Sequence, residues 1–164
     1  MSRGLRNMIR LLTGIMVLSA VFANVEIQVE GADGWAARLP TWRIESGHIL
    51  TVLWAGREIT GYHVWTFLFM LLVFHFVFLM VGRFSVRLEA RLLGSLLLFW
   101  VIEDTFWFVF NPAYGLSRLR PEFVPWHPCW ILGVPVDYLV FGAMGLGLVT
   151  WSYWSRTNKR EGAA

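Results

Sequence analysis

The chain has 164 residues, of which 57% are hydrophobic and 15% charged, against about 25% charged in an ordinary soluble domain. Its net charge of +3 comes from residues that flank apolar runs, with no arginine-rich helix or nucleic-acid motif, which excludes nucleic acid as a partner. The single cysteine, Cys129, excludes an internal disulfide and a CxxC redox or zinc motif. These totals predict a single membrane domain, residues 1–164, that is embedded in the lipid bilayer.

The N-terminal segment carries three arginines ahead of an apolar run over residues 11–25. A secretory signal peptide cleaved after Ala23 has this shape. The apolar pattern continues past that point, however, and favours a retained helix over residues 8–29. On that helix Glu26 and Glu30 lie one turn apart near the outer end. Glu26 is a further candidate for the polar site described below, whereas Glu30 is expected to be a solvated acid at a frayed helix end.

Three further segments are long and apolar enough to cross a hydrocarbon core about 30 Å thick, at about 1.5 Å per helical residue. They cover residues 62–81, 91–111 and 134–153. The connections at 30–61 and 112–133 are rich in glycine and proline, and we expect them to form two structured outer loops.

The four segments predict an all-α, polytopic membrane protein built as a four-transmembrane-helix antiparallel bundle. Arginine and lysine set its orientation, with three residues each in the N-terminus, the connection before the third segment and the C-terminal tail. The other five are spread over the two longer connections. By the positive-inside rule both termini are cytoplasmic and the protein lies in the cell (inner) membrane. Small residues of the last segment are expected to allow close helix packing: Gly142, Ala143, Gly145 and Gly147.

Glu103 and Asp104 lie inside the third segment, in the run LLGSLLLFWVIEDTFWFVFN at residues 92–111. A carboxylate at such depth costs on the order of 2.5–3.5 kcal/mol on insertion scales. Polar groups in that position normally face the interior of a bundle or a wet cavity. We therefore expect both acids to face a polar pocket in the outer half of the membrane.

Five other residues are expected to reach the same depth. His63 lies at the start of the second segment, His127 in the second outer loop and Asp137 at the start of the last segment. Trp100 and Trp107 each lie three or four residues from both acids and share their side of the helix. The predicted catalytic residues are Glu103, Asp104 and His63, and the predicted ligand-binding residues are Trp100, Trp107, His127 and Asp137.

Two classes of function remain open, and with them the question of whether the chain is an enzyme. The first is binding of, or acid/base action on, a small apolar lipid- or isoprenoid-like molecule, or binding of a divalent metal. The second is a non-catalytic accessory or assembly subunit of a membrane complex, whose acids pair with His63 or with a loop arginine, Arg118 or Arg120. The candidate metal ligands are His63, His127, Glu103 and Asp104.

His75 lies deeper in the second segment and is expected to bond to a backbone or hydroxyl group. No haem is expected, because a haem bundle usually needs a facing axial ligand and the chain has no second histidine in the middle of a span. Residues 101–107, VIEDTFW, resemble the acidic motif of lycopene-cyclase-type domains over fewer than ten residues. The proline expected ahead of the acids is missing, and we identify no family from this motif.

Overall fold

In the computed structural model the chain forms four α-helices and two loops that each contain a short antiparallel hairpin. The structure describes residues 2–54 and 56–161, with the backbone alone at 52–54 and 155–161. The helices of the described residues are α1 (Arg3–Glu30), α2 (Gly61–Val81), α3 (Val86–Phe110) and α4 (Val136–Glu161).

The two loops that are predicted to face outward, called the outer loops below, are ordered by these hairpins. In the first loop β1 (Arg43–Ile44) pairs with β2 (Ile59–Thr60), and a 3-10 helix (Ile49–Trp54) lies between them. In the second loop β3 (Trp130–Ile131) pairs with β4 (Val134–Pro135). Each hairpin leads directly into the following helix, so the hairpins fix where α2 and α4 begin.

Three helices, α1, α2 and α3, are long and apolar enough to cross a membrane. This agrees with the mostly helical fold that the sequence predicts. In α2 only 6% of the most apolar window is buried, which leaves an apolar surface of the kind that faces lipid.

Capping residues set the helix ends. The hydroxyl of Ser2 accepts the N–H of Leu5 at 3.2 Å, so α1 begins earlier than the predicted residue 8. The hydroxyl of Thr60 accepts the N–H of His63 at 3.2 Å at the start of α2. Gly82 ends α2 in the left-handed region with φ 68. Such N-caps supply acceptors for the first free N–H groups of a helix, and glycine takes a left-handed C-terminal position without strain.

α3 is the central helix and packs against α1 and α4. Gly94 of α3 faces Gly145 of α4 so closely that a Cβ on Gly94 would lie 2.8 Å from the carbonyl oxygen of Gly145. A Cβ on Gly142 or Gly147 would meet nothing within 4 Å. The predicted close packing of small residues in α4 is therefore confirmed at Gly145 and wrong at Gly142 and Gly147.

Polar contacts join the helices at the end of α3 opposite the second loop. The Nδ1–H of His75 donates to the carbonyl of Leu71 at 2.7 Å, which confirms its predicted backbone bond, and its Nε2 lies 3.1 Å from Glu89. Arg91 donates to the hydroxyl of Ser152 at 3.2 Å and ties α3 to α4. The apolar core lies between this end and the second loop, and consists of Ile15, Met70, Leu98, Phe99 and Val149 with their neighbours.

Candidate functional site

A cavity of about 380 Å³ lies among the four helices and both outer loops. Its volume falls in the range of about 300–1,000 Å³ that is usual for ligand pockets. The structure brings together side chains that the sequence places at one depth on separate elements, and their roles remain predictions. All seven predicted site residues line the cavity: Glu103, Asp104, His63, Trp100, Trp107, His127 and Asp137.

The cavity has aromatic walls. The rings of Trp35 and Trp126, one from each outer loop, stack with centroids 6.2 Å apart. Trp107 meets Trp126 edge to face at 6.4 Å. These contacts close the end of the cavity under the loops with large apolar surfaces. The aromatic residues of the wall are Trp35, Trp100, Trp107, Trp126, Phe67 and Phe141.

A strained turn holds Trp35 in the wall. Trp35 and Ala36 have φ of 46 and 53, in the left-handed region that residues with a side chain rarely adopt. The carboxylate of Glu30 accepts the N–H of Ala36 at 2.6 Å and a backbone hydrogen bond from Trp35, as in the N–H nests that bind anions. Glu30 is only 6% exposed, so the expectation of a solvated acid is wrong. The turn that follows α1 folds back over this carboxylate and buries it.

Two buried carboxyl groups are in contact across α1 and α3. Glu103 shares a side-chain hydrogen bond with Glu26, and the hydroxyl of Tyr62 donates to Oε1 of Glu26 at 3.1 Å. A hydrogen bond between two carboxyl groups requires a proton on one of them. The other oxygen of Glu103, Oε1, is buried and has no hydrogen-bond partner among the described residues.

His63 completes this group of side chains. Its Nδ1 lies 2.6 Å from the hydroxyl of Thr60, and its Nε2 lies 3.6 Å from Oε1 of Glu30. The indole of Trp35 stacks on the imidazole at 4.1 Å between centroids. The ring is therefore fixed on three sides, with Nε2 facing the acids. We refer to Glu26, Glu30, Glu103 and His63 as the glutamate cluster.

A second polar group crosses the cavity from α3 to α4. Nε2 of His127 lies 2.9 Å from Oδ2 of Asp104, and Nδ1 lies 2.9 Å from Oδ2 of Asp137. Arg57 donates to the same oxygen of Asp137 at 2.6 Å, and the hydroxyl of Tyr138 donates to Asp104. We refer to Asp104, His127, Asp137, Arg57 and Tyr138 as the His127 network.

The protonation of His127 follows from its two carboxylate neighbours. Burial by itself lowers the pKa of His127, but hydrogen bonds from the ring to Asp104 and Asp137 outweigh it and raise the pKa above its usual 6.5. A ring that donates from both nitrogens is an imidazolium. This loop histidine therefore carries its proton to a higher pH than a free imidazole does.

The His127 network also fastens the second outer loop to the helices. The indole N–H of Trp130 donates to the carbonyl of His127 at 2.7 Å, which adds a contact within the loop. The predicted structural alternative pairs the acids with His63 or with a loop arginine, Arg118 or Arg120. The guanidinium of Arg118 lies instead over the ring of Tyr114 at 5.8 Å, and the loop partner of Asp104 is His127.

The predicted metal ligands divide between the two polar groups. His63 and Glu103 belong to the glutamate cluster, whereas His127 and Asp104 belong to the His127 network. Among the described residues, one group of side chains holds its potential ligand atoms within 4.8 Å of one another, and it is a different set. That group consists of Glu26, Glu30 and His63.

Five polar or tryptophan side chains that line the cavity were named neither as predicted site residues nor as further candidates. A local signal exists for two of them, since Glu30 follows Glu26 by one helical turn and Tyr138 is next to Asp137. The other three lie in loops, where no periodic pattern indicates which way a side chain faces. These three are Trp35, Arg57 and Trp126.

No protein-family model, no curated protein and no solved structure matches this chain. The class of protein is therefore defined by fold and site alone. It is a mostly helical chain with three helices of membrane-spanning length. It carries an acidic, aromatic-walled cavity beneath two ordered loops.

Proposed function

We propose that the chain is a four-span protein of the cell (inner) membrane that binds a small apolar, lipid- or isoprenoid-like molecule bearing a polar group. α4 is the fourth span, both termini are cytoplasmic and the cavity lies in the outer half of the bilayer. The distribution of arginine and lysine supports this orientation. In this arrangement Arg91 lies at the inner end of α3, and the acids lie several turns further out.

The observation that carries the proposal is a pair of unsatisfied polar atoms in an aromatic cavity. Oε1 of Glu103 and Nε1 of Trp107 are both buried without a hydrogen-bond partner among the described residues. A buried polar group without a partner costs about 1–3 kcal/mol. The two residues are four apart on α3 and share a face. One ligand hydroxyl that donates to Glu103 and accepts from Trp107 satisfies both.

The polar groups around that position also support acid/base action. The hydrogen bond between Glu26 and Glu103 contains a proton that either carboxyl can donate. Asp104, the next residue on α3, accepts hydrogen bonds from His127 and Tyr138. A proton donor and a proton acceptor near one bound group are the requirement for general acid/base catalysis.

A change of cavity volume tests the binding proposal. Val101 lines the cavity, whereas Val109 on the same helix is 44% exposed. We would purify wild-type protein, Val101→Phe and Val109→Phe in one detergent, extract each with organic solvent and quantify the released molecules by mass spectrometry. We expect one apolar molecule in near-stoichiometric amount from wild type and Val109→Phe, and little from Val101→Phe.

The same samples can contradict the proposal. Equal release of every molecule from all three proteins, or no specific molecule from wild type, would show that the cavity is not a binding site. Melting temperatures of the three proteins in detergent serve as the folding control, because a destabilised Val101→Phe could lose a ligand indirectly.

A second candidate function is that of an accessory or assembly subunit. The observation in its favour is the bond between Asp104 of α3 and His127 of the second loop, which holds the loop on the bundle. In that case the buried acids serve loop docking alone. The comparison of Glu103→Gln with Asp104→Asn in the Discussion separates the two candidates.

A further inference from the structure

Three glutamates lie together on the α1 side of the cavity, and among the described residues no arginine or lysine forms a salt bridge with them. Of the other two cavity acids, Asp137 is paired with Arg57 and Asp104 with His127. Nε2 of His63 lies 3.6 Å from Oε1 of Glu30, and this imidazole balances the charge of the acids only when it is protonated. Buried carboxyl groups need a proton or a cation to be stable. The glutamates are Glu26, Glu30 and Glu103, each 8% exposed or less.

The spacing of these groups fits a metal ion. Glu26 and Glu30 are one helical turn apart and face the same way, and their oxygens lie within 4.8 Å of each other and of His63. Nε2 of His63 is 3.6 Å from Oε1 of Glu30, too long for a hydrogen bond. Two ligands each about 2.1 Å from a tetrahedral metal lie about 3.4 Å apart. The observed gap is therefore close to the spacing that one shared ion imposes.

Neighbouring groups hold the side chains of His63 and Glu30 in fixed orientations, as neighbours of metal ligands do. The hydroxyl of Thr60 lies 2.6 Å from Nδ1 of His63, and with the ring proton on that side Nε2 presents its lone pair to the acids. The backbone of Trp35 and Ala36 fixes the carboxylate of Glu30. Partners of this kind hold histidine and carboxylate ligands in place.

A separate observation points to a missing ligand. Oε1 of Glu103 is buried without a partner among the described residues, in a side chain that is 2% exposed and touches Glu26. We propose that Glu26, Glu30 and His63 bind one divalent first-row transition-metal ion beside this carboxyl group. One imidazole and two carboxylates suit zinc, iron or manganese, with the remaining positions open to water or another ligand. The inference goes beyond the proposed function, because the metal site does not depend on an organic molecule in the cavity.

Cobalt(II) is a suitable probe, because its visible d–d absorption reports bound metal directly. The full chain in detergent would be treated with a chelator, titrated with Co²⁺ and followed by absorbance. We expect saturation at one equivalent for wild type. We expect Glu26→Gln, Glu30→Gln and His63→Gln to raise the Kd by more than the 10–100-fold typical of outer partners of a ligand. The matched controls are Glu122→Gln and His48→Gln, which change exposed residues. Both control variants should bind Co²⁺ with the Kd of wild type.

Glu26→Gln is the decisive variant. Glu30 also holds the strained turn through Ala36, so Glu30→Gln changes the fold as well as the ligand. Glu26 hydrogen-bonds to the side chains of Tyr62 and Glu103, and glutamine preserves its shape. Absence of saturable Co²⁺ binding by wild type, or equal Kd for wild type and a folded Glu26→Gln, overturns the metal site. If Val101→Phe still loses its apolar molecule, the proposed function stands without the metal.

Discussion

The carboxyl group of Glu103 on α3 hydrogen-bonds to that of Glu26 on α1, 77 positions earlier in the chain. Both acids are buried, and both line the same cavity. The bond joins two helices of membrane-spanning length at their most polar point. The same buried side chains are therefore candidates both for holding the helices together and for binding a ligand.

Glu103→Gln and Asp104→Asn separate a functional role from a structural one. Glutamine keeps the shape of Glu103 and can donate to Glu26. We therefore expect the free energy of unfolding in detergent to change by less than about 0.5 kcal/mol and the bound apolar molecule to be lost. Asp104→Asn weakens two bonds, to His127 and Tyr138. Stability losses of about 1–3 kcal/mol in both variants, with the ligand retained, would favour the accessory-subunit function.

His127 predicts a pH dependence of stability. Burial lowers its pKa in the folded protein, but hydrogen bonds to Asp104 and Asp137 outweigh burial and raise the pKa. The guanidinium of Arg57 lies 3.4 Å from Nδ1 of the same ring. A histidine whose pKa is raised by folding stabilises the folded state. This stabilisation is fully present at a pH below the unfolded pKa of about 6.5, and it is lost as the pH rises through the folded pKa. We expect the melting temperature of wild type to fall over that interval. His127→Asn should flatten the curve, whereas the exposed His48→Asn should leave it unchanged; parallel curves for all three proteins would contradict the prediction.

Arg57 and Arg38 form a matched pair of arginines in the first loop. Arg57 is paired with Asp137, and their side chains are 16% and 21% exposed. Arg38 is paired with Asp33, and its side chain is 77% exposed. We expect Arg57→Gln to cost about 1–3 kcal/mol, because it leaves Asp137 half-buried with less compensation. Arg38→Gln should cost about 0–1 kcal/mol. Equal thermal shifts would show that the Arg57 pair adds nothing beyond a surface contact.

Gly145 predicts a position-specific effect of alanine in α4. A Cβ at Gly145 would lie 2.8 Å from Cγ of Leu98 and 2.9 Å from the carbonyl of Gly94. We expect Gly145→Ala to destabilise the protein by about 1–3 kcal/mol through overpacking. Gly147→Ala has open space and should be neutral or gain about 0.5–1 kcal/mol from reduced chain entropy. Thermal unfolding of both variants in the same detergent checks the difference, and similar shifts for the two would refute the close α3–α4 contact.

Much of the fold follows from local pattern. The apolar runs predict helices close to those observed, because helix length and hydrophobicity are properties of neighbouring residues. The depth of Glu103 also follows from counting residues along α3. The helical rise and the alignment of the other segments are enough to place His63, Asp137 and His127 near it.

The partners of these residues were not predictable in the same way. The sequence allows Glu103 to face a histidine, whereas the structure places it against Glu26. Glu30 is expected in solvent, yet the left-handed turn at Trp35 and Ala36 covers it. Loop conformation depends on contacts with distant parts of the chain, and no short period in the sequence records them.

The amino-acid sequence alone determined a mostly helical chain whose apolar segments are long enough to cross a membrane and carry acids near one end, because the 1.5 Å rise per residue and the cost of charge in lipid act on each segment separately. Only the tertiary structure decided that these acids form two groups. Arg57 and His127 reach Asp137 and Asp104 from opposite loops, and the three glutamates remain with His63. The physical reason is that pairing in a buried site depends on which side chains the folded loops bring within hydrogen-bond distance.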